Sequence, residues 1–543
     1  MQVVVQRWLE TGTSERKPAF PVWTHWFGLS ELRVIRGQAV ERFDVVIVGA
    51  GLSGIGTACH LMRNCPTKSF VILEGRQAVG GTWDLFRYPG VRSDSDMHTL
   101  GYAFKPWNEA KAIADGSTIL KYVNETADEH GIRDHVRFGH RVTNAAWSSE
   151  DATWTVEAET DGRAVQIACS MLLLCGGYYN YEHPHRPVWD GEEDFRGTVV
   201  HPQFWPEDLD HRDKEVAVIG SGATAMTLVP AMAMSGARHV VMVQRSPTYV
   251  LSWPSQDRIA NFLRRFLPNR WAYAIIRWKN VKRVHAFYRL TRTQPRRVKA
   301  KLLEMVRGAL GPDYDIDKHF TPRYDPWDQR LCLIPDADLF KVLRRGTASI
   351  RTEMIDRFTR DGLQLAGGDV VRADIIVIAT GLRLQVLNGV SLSVDGRTVN
   401  PPDHWYYKGM MFSDVPNLIL TFGYINASWT LRADLTAEYA CRLINELERT
   451  GNHQATPRLS EHARQTMPAR PWIDGFSSGY FQRDMHRFPK QGDQDPWRNT
   501  QDYLEDRRVV KRAAIADGVL ELSSPEGMSD APAGTRARVA RAA

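Results

Sequence analysis

A glycine-rich turn near the start of the chain has the spacing of a dinucleotide-binding site. Residues 44–56 read DVVIVGAGLSGIG, so Gly49, Gly51 and Gly54 follow an apolar strand and precede a helix as a GxGxxG motif. The glycines permit a tight turn, close approach of a pyrophosphate and close helix packing. The next predicted strand ends at Glu74, a carboxylate that accepts hydrogen bonds from ribose hydroxyls and repels a 2′-phosphate. This site is predicted to bind FAD or NAD(H).

A second glycine turn differs at the residue that selects the nucleotide. Residues 215–225 read EVAVIGSGATA, in which Gly220, Gly222 and Ala225 form a GxGxxA variant. Arg245 ends the following strand, where an NAD site would have an acid, and a guanidinium pairs well with a 2′-phosphate. NADPH is the predicted ligand, and the alternative that Arg245 is an ordinary surface arginine stays open. Two sites of opposite preference predict hydride flow from NADPH to a tightly held FAD.

The composition excludes several other classes of protein. A chain of 543 residues exceeds the ~250–300 residues at which single cores stop growing, so at least two domains are expected. The net charge of +6 is small for this length, and we predict neither nucleic-acid binding nor a metal site. The six cysteines form no CxxC pair, which excludes a flavin disulfide reductase and favours a reducing cytoplasm. No apolar run approaches the ~20 residues of a membrane span, and no signal peptide is evident. We therefore expect a soluble cytoplasmic protein.

The elements that position these turns repeat in one order along the chain. Apolar strands followed by glycine, and meanders around Asp161-Gly162 and Asp361-Gly362, occur twice, the second pass nested within the first. The sequence predicts an α/β protein with two nested, doubly wound Rossmann-like domains and a helical insert. The predicted segments are an N-terminal extension at 1–40, the FAD domain at 41–190 and 391–520, the NADPH domain at 191–390 with its insert at about 255–325, and a mobile tail at 521–543.

The predicted insert is basic and rich in aromatic residues. From about residue 258 to 307, arginines and lysines alternate with Trp271, Trp278 and Phe287. The simpler interpretation is a pair of amphipathic helices with a solvated basic face. The alternative is weak contact with an anionic membrane, which would place the protein peripherally at the inner face of the cell membrane.

Two segments around the second turn resemble a known family. Residues 195–206 read FRGTVVHPQFWP and match the FxGxxxHxxxWP fingerprint of type I Baeyer-Villiger monooxygenases, while residues 80–94 fit that family's GGxWxxxxYPGxxxD pattern. The matching positions that we single out are Gly81, Trp83, Asp94, His201, Trp205 and Pro206. The resemblance extends from about residue 44 to 503, and within the family the chain is most similar to the ethionamide-activating branch.

The resemblance implies both an activity and its residues. It implies that NADPH reduces FAD, that O2 gives a C4a-peroxyflavin, and that this species inserts one oxygen atom beside a ketone carbonyl to give an ester or lactone. Arg330 corresponds to the family's catalytic arginine, a fixed cation that stabilises the anionic adduct, and Asp94 is the carboxylate that orients it. Gln329 departs from the lysine that the family often has there.

Supporting roles follow from the same resemblance. Gly81 and Trp83 are expected beside the flavin, and His201 is expected to hold cofactor and position the domains rather than act as a general base. Residues 379–381 and 426–429 are predicted to be turns that approach the flavin.

Alternatives to ketone oxygenation remain. A flavin monooxygenase that S-oxygenates thioamides or sulfides, or N-hydroxylates amines, is the nearest rival, and a non-catalytic FAD-binding redox sensor is a more distant one. The sequence predicts a small-molecule ketone or sulfur compound and molecular oxygen as partners, without fixing the physiological substrate or the oligomeric state.

Overall fold

A computed structural model describes residues 31–35 and 38–526, and its first part forms most of a large mixed sheet. The elements of this part, in chain order, are β1 (Glu31–Ile35), β2 (Gln38–Val48), α1 (Leu52–Asn64), β3 (Phe70–Leu73), α2 (Thr82–Leu85), α3 (Met97–Leu100), α4 (Gly116–Glu129), β4 (Val136–Arg137), β5 (Arg141–Ser148), β6 (Thr153–Thr160) and β7 (Arg163–Leu174). β4, β3, β2 and β7 are parallel neighbours in that order, and β5, β6 and β7 form an antiparallel meander.

Local sequence explains these elements. Residues 45–47 and 70–73 are fully apolar and buried, as strands covered on both faces require. The turn between β6 and β7 is Asp161-Gly162, with φ of 49° and 73°, the two positive values of a type I′ hairpin turn. The predicted meander at this position is confirmed.

The second part contains its own parallel sheet and the helical insert. Its elements are β8 (Thr198–Val200), β9 (Glu215–Ile219), α5 (Ala223–Met234), β10 (His239–Gln244), β11 (Val250–Trp253), α6 (Arg258–Leu263), α7 (Asn269–Thr293), α8 (Pro295–Leu310), α9 (Ile316–Phe320), β12 (Cys332–Pro335), α10 (Asp338–Arg344), β13 (Ala348–Thr352), β14 (Ile355–Thr359), β15 (Gly362–Leu365), β16 (Val370–Arg372) and β17 (Ile375–Ile378). The sheet order is β13-β10-β9-β17-β8, all parallel, and α6 to α9 lie between the paired strands β11 and β12.

The last part returns to the first sheet. Its elements are β18 (Ser391–Val394), β19 (Arg397–Thr398), β20 (Tyr406–Tyr407), β21 (Met411–Phe412), β22 (Leu418–Leu420), α11 (Trp429–Thr450), β23 (Gln454–Pro457), α12 (Glu461–Thr466), α13 (Gly479–Asp484), α14 (Tyr503–Arg512) and β24 (Leu520–Ser523). β18 pairs with β5, and β22 pairs with β7. The predicted α/β class with two nested Rossmann-like units is thereby confirmed.

The ends of the described chain correct two predicted boundaries. β2 begins at Gln38, so the first sheet starts inside the predicted extension at 1–40. β24 pairs antiparallel with β23 and buries Leu520, so residues up to Ser523 belong to a strand rather than to the predicted tail. Residues 1–30, 36–37 and 527–543 lie outside the described residues. The other domain boundaries stay predictions.

Two further properties concern the described chain as a whole. All six cysteines are free and buried, in accord with their apolar sequence surroundings. Within residues 31–35 and 38–526, no helix combines the length and the apolar character needed to cross a bilayer.

Candidate active site

The first glycine turn joins β2 to α1. Gly49 has a φ of 99°, and a Cβ there would lie 2.8 Å from the Cα of Gly176. A Cβ on Gly54 would lie 1.8 Å from the carbonyl oxygen of Gly49, which would prevent the helix from packing on the turn. Gly51 differs, because its φ is −76° and an added Cβ would make only an ordinary 3.6 Å contact with Gly81. The fold requires glycine at two positions, and the third keeps the backbone open to a phosphate.

Glu74 lies at the end of β3 beside this turn and is only 7% exposed. Its Oε2 accepts a hydrogen bond from the backbone N–H of Ala50 at 2.6 Å, and its Oε1 accepts one from the backbone N–H of Arg76 at 2.8 Å. Burial raises the pKa of Glu74, and these two N–H donors offset part of that effect. Each carboxylate oxygen keeps a second lone pair, so the group can still accept a ribose hydroxyl.

The segment that follows α1 and β3 closes against the first turn. Gly80 forms an isolated bridge with Gly51, and Gly81 has a φ of 55°. A Cβ on Gly81 would approach the Cα of Gly51 to 3.1 Å, which is tighter than ordinary packing. Trp83 is half-buried and packs on the hydrophobic core beneath α1. The structure therefore places the predicted residues Gly81 and Trp83 beside the first turn.

The second glycine turn joins β9 to α5. Gly220 has a φ of 140°, and a Cβ there would lie 2.3 Å from the carbonyl oxygen of Ala379. Gly222 has a φ of −82°, and an added Cβ would meet no atom within 4 Å. Ala225 is fully buried in the core of the second unit. Neither backbone strain nor crowding within the protein requires glycine at position 222. The glycine instead leaves open space, which fits the close approach of a pyrophosphate.

Arg245 follows β10 and is exposed, whereas its neighbour Gln244 is buried. The amide of Gln244 donates to the carbonyl of His319 at 2.9 Å and to Oγ1 of Thr352 at 2.8 Å. Among the described residues, no carboxylate lies within 4 Å of the Arg245 guanidinium. Arg245 is thus free to bind an anion, and Gln244 is not available for that role.

Arg483, which the sequence did not single out, lies near both Arg245 and Arg383. Arg483 belongs to α13, and Gly381, with a φ of 110°, lies so that an added Cβ would be 3.7 Å from its Nη2. Burial lowers the pKa of Arg483. The carboxylate of Asp484 opposes this shift, whereas the positive charges of Arg383 and Arg245 add to it. The position of Arg483 gave no sequence signal, since it approaches Arg245 only through tertiary packing.

Arg330 and Asp94 lie together, as the family resemblance implies. Nη1 of Arg330 lies 3.5 Å from Oδ2 of Asp94, and the two side chains are 27% and 49% exposed. Burial acts to lower the pKa of Arg330, but the hydroxyl of Tyr480, the carboxylate of Asp94 and two more tyrosines raise it well above its ordinary value. Arg330 is therefore a permanent cation in a partly closed site.

The tyrosines around this cation were missed by the sequence. They are Tyr178, Tyr179 and Tyr480, and the hydroxyls of the first two lie 3.2 Å apart. Burial raises the pKa of Tyr178 well above its ordinary value, so its hydroxyl stays neutral. The ring of Tyr178 packs at 5.2 Å from Trp429 and stacks on Phe422 at 5.6 Å. These rings limit the access of water to Arg330 on one side.

Hydrogen bonds connect Arg330 to the first glycine turn. Its Nη1 donates to the carbonyl of Ile425 at 3.1 Å. Four residues on, Nε1 of Trp429 donates to Oγ of Ser53, in the first turn of α1, at 2.7 Å. The segment 426–429, which the sequence predicted near the flavin, therefore lies between Arg330 and the FAD-type turn.

A second set of bonds leads from Arg330 to the other turn. Oγ1 of Thr248 donates to the carbonyl of Arg330 at 3.2 Å. Two residues before Thr248, the carbonyl of Ser246 accepts a hydrogen bond from Oγ of Ser221 at 3.0 Å, and Ser221 lies between the glycines of the second turn. Arg330 is thus hydrogen-bonded to two segments, 425–429 and 246–248, and each segment makes a hydrogen bond to one of the turns.

His201 holds a short connecting segment rather than a reactive position. Its Nδ1 accepts a hydrogen bond from the backbone N–H of Gln203 at 3.2 Å. Burial, together with the charge of Arg186, lowers the pKa of His201 to about 4, so the ring is neutral and carries its proton on Nε2. The backbone of His185 lies close enough to oppose part of this pKa shift, although Nε2 makes no hydrogen bond of good geometry within the described residues. Gln203 donates to the carbonyls of Asn180 and Tyr181 at 3.0 and 2.7 Å, joining the two units.

Comparisons with known proteins agree with this geometry. A model of the family described as flavin-binding monooxygenase-like matches residues 43–305. The FAD-containing monooxygenase EthA of Mycobacterium tuberculosis is 50% identical over 477 residues, which is 88% of this chain and 97% of that protein.

Solved structures show the same fold. An oxidized steroid monooxygenase bound to NADP has a TM-score of 0.71 at 22% identity, covering 89% of this chain and 100% of that one. A cyclohexanone monooxygenase from Rhodococcus sp. Phi1 bound to NADP+ has a TM-score of 0.70 at 18% identity, covering 89% and 99%. At these identities the likeness concerns the fold alone.

Proposed function

This chain belongs to the family of flavin-binding, FAD-containing monooxygenases, and we propose that it is a Baeyer-Villiger enzyme within that family. It is a flavin-dependent monooxygenase, with FAD and NADPH as cofactors. In the proposed reaction, one oxygen atom of O2 is inserted beside a ketone carbonyl to give an ester or lactone, and the other leaves as water.

The position of Arg330 is the observation that carries this proposal. The guanidinium lies beside Asp94, and the residue is hydrogen-bonded to Ile425 and Thr248, whose segments are in turn bonded to the two glycine turns. A ketone that accepts an oxygen nucleophile becomes an anionic adduct, which a fixed neighbouring cation stabilises. The carboxylate of Asp94 keeps the cation oriented and reduces the cost of its partial burial.

The two turns fit the two cofactors in opposite ways. At the first turn, the buried carboxylate of Glu74 suits the ribose hydroxyls of FAD and disfavours a 2′-phosphate. At the second, the exposed Arg245 and the open space at Gly222 suit NADPH. When bound, FAD that NADPH has reduced supplies the activated oxygen.

The remaining residues prepare the site. The tyrosine rings near Arg330 exclude water, which strengthens the interaction of the cation with negative charge. His201, neutral and hydrogen-bonded through Nδ1 to the backbone of Gln203, supports the connecting segment rather than removing a proton from substrate. The substrates best matched to this environment are apolar ketones.

Replacement of Arg330 tests the proposal. The Arg330→Ala variant should still show flavin bleaching by NADPH without oxygen, but ester formation should fall by about 10²–10³-fold or more, because the anionic adduct loses its cation. The exposed Arg323, replaced by alanine, is the matched control and should keep both activities. Undiminished ester formation by Arg330→Ala would refute the role.

A second candidate is S-oxygenation of thioamides or sulfides, or N-hydroxylation of amines. The sequence resemblance to the ethionamide-activating branch favours it. Attack by a neutral sulfur forms no anionic carbonyl adduct, so this reaction depends less on Arg330. Product analysis with one ketone and one sulfide, in the native enzyme and in Arg330→Ala, distinguishes the two: the proposed enzyme loses ester much more than sulfoxide.

A further inference from the structure

The insert carries most of the exposed apolar surface. Of the thirteen large apolar side chains that are exposed among the described residues, seven lie between residues 259 and 290. Single apolar residues scattered over a protein surface are common and need no explanation. A concentration of them on one segment, however, marks a contact surface. We define the aromatic face as six of these residues. They are Ile259, Phe262, Phe266, Trp271, Ile275 and Trp278.

The aromatic face consists of an α6 strip, formed by Ile259, Phe262 and, just after the helix, Phe266, and an adjoining strip on α7, which packs on α6. On α7, Trp271, Ile275 and Trp278 have spacings of four and three residues and therefore share one side of the helix. Tyr273 and Ile276, on the other side, are buried. The rings of the α6 strip also contact one another. The exposed strip is thus the outer side of a helix whose inner side is already packed.

The charge around this face is predominantly positive, with Asp257 and Glu109 as the carboxylates beside α6. Residues 258–303 contain fourteen lysines and arginines and no aspartate or glutamate. Some of these cations are paired, for example Lys279 with Asp257 at 2.6 Å. Others are exposed and, within the part of the chain that the structure describes, have no carboxylate within 4 Å. These are Arg258, Arg265, Arg270, Lys282 and Arg289.

We propose that the aromatic face docks the enzyme on an anionic lipid bilayer. Tryptophan and phenylalanine rings enter the boundary between headgroups and acyl chains, while the unpaired arginines and lysines bind lipid phosphates. A second copy of this chain is a poorer occupant, because it would bring an equally basic surface against the first. The inner face of the cell membrane supplies the required negative charge.

Docking would also bear on substrate access, a step that rests on the proposed function. The inner side of α7, through Val281, Val284 and Tyr288, lines a cavity together with Asn426. Asn426 follows Ile425, whose carbonyl accepts the hydrogen bond of Arg330. On its inner side, this helix therefore borders a small cavity that adjoins the segment bonded to Arg330, and docking would hold that segment near apolar ketones dissolved in the membrane.

Vesicle co-sedimentation of the full-length holoenzyme tests the docking. The protein should bind vesicles of phosphatidylglycerol and phosphatidylcholine, and bind pure phosphatidylcholine far less. Joint replacement of Phe262, Trp271 and Trp278 by serine should reduce binding at least about tenfold. Joint Arg265→Gln, Arg270→Gln and Lys282→Gln should reduce vesicle binding roughly a hundredfold, because each lost charge weakens binding by about tenfold or less.

The matched control removes equally exposed apolar side chains elsewhere. Joint Val188→Ser, Met354→Ser and Val370→Ser should leave vesicle binding unchanged. Flavin content and the rate of flavin bleaching by NADPH confirm that every variant is folded. Equal binding by the aromatic variant and the native protein would overturn the proposal, as would a dimer in ultracentrifugation that this variant alone dissociates. Because vesicle binding needs no substrate, it is independent of whether ketones are oxidised.

Discussion

The two glycine turns share a backbone and differ in what the next strand presents to them. In both, the first glycine has a positive φ and would collide with a neighbouring segment if it carried a Cβ. Beyond the first turn, however, the buried Glu74 is held by backbone N–H groups, whereas Arg245 beyond the second is exposed and unpaired with any carboxylate of the described residues. The backbone can thus accommodate a pyrophosphate in both units. The residue at the end of the next strand, a glutamate or an arginine, determines which nucleotide each turn prefers.

The largest expected effect comes from a glycine that the first turn itself requires. In Gly54→Ala the new Cβ would meet the carbonyl of Gly49, and we expect a loss of about 3 kcal/mol in the free energy of unfolding, together with lost flavin. Urea unfolding and flavin absorbance measure this. Gly308→Ala, in a helix with open space around it, is the control and should be neutral or slightly stabilising. Normal flavin content in Gly54→Ala would contradict the packing role.

Removal of the cation beyond the second turn should change the choice of coenzyme. Arg245→Ala should raise the KM for NADPH by roughly 10- to 100-fold, because charge-assisted hydrogen bonds of about 1.5–3 kcal/mol to the 2′-phosphate are lost. The KM for NADH should change little. Steady-state oxidation of both coenzymes measures the difference, and equal changes for the two would show that Arg245 is an ordinary surface arginine.

Gly222 offers a smaller test of the same comparison. Because nothing in the protein lies within 4 Å of an added Cβ, Gly222→Ala should leave the free energy of unfolding nearly unchanged. It should nevertheless weaken NADPH binding by roughly tenfold, or about 1.4 kcal/mol, because the methyl group occupies the space of the pyrophosphate. Coenzyme titration with matched unfolding curves separates the two effects. Unaltered binding would mean that the pyrophosphate lies elsewhere.

The smallest expected effect concerns His201, in the segment that joins the two units. Its pKa of about 4 lies below the ordinary value of 6.5, so the unfolded chain takes up the proton first. The stability that the neutral ring contributes is therefore present above pH 6.5 and is lost as the pH falls towards 4. Urea midpoints of His201→Gln should vary less with pH across that window than those of the native protein. The exposed His183, replaced by glutamine, should leave the native profile intact; identical profiles for both variants would contradict the assignment.

Local sequence patterns were sufficient to predict the two glycine turns and the residues beside them. Each glycine turn, and the strand end that follows it, lies within about thirty residues, so spacing alone placed Glu74 and Arg245 correctly beside the turns. The pairing of Arg330 with Asp94 is different, since these residues are remote in sequence. Their proximity was predicted only through the family resemblance, and the 3.5 Å separation agrees with it.

Contacts that depend on tertiary packing could not be predicted in this way. Tyr178 and Tyr480 meet at Arg330 from segments far apart in the chain, and Arg483 approaches Arg245 from the six-residue helix α13. None of these has a periodic or motif signal of its own. The strand β24 was likewise missed, because its only pairing is with β23, some sixty residues earlier.

The nested topology determines the order in which a ribosome can complete the two units. Every strand of the second sheet lies between residues 198 and 378, so that unit is complete once its own stretch has emerged. The first sheet must wait for β22, and until then β7 presents an open edge on which nascent chains can aggregate. Trp429, which bonds to Ser53, is synthesised later still. We therefore expect flavin to load only after residue 429 has emerged, so the unit that begins first is the last to be completed.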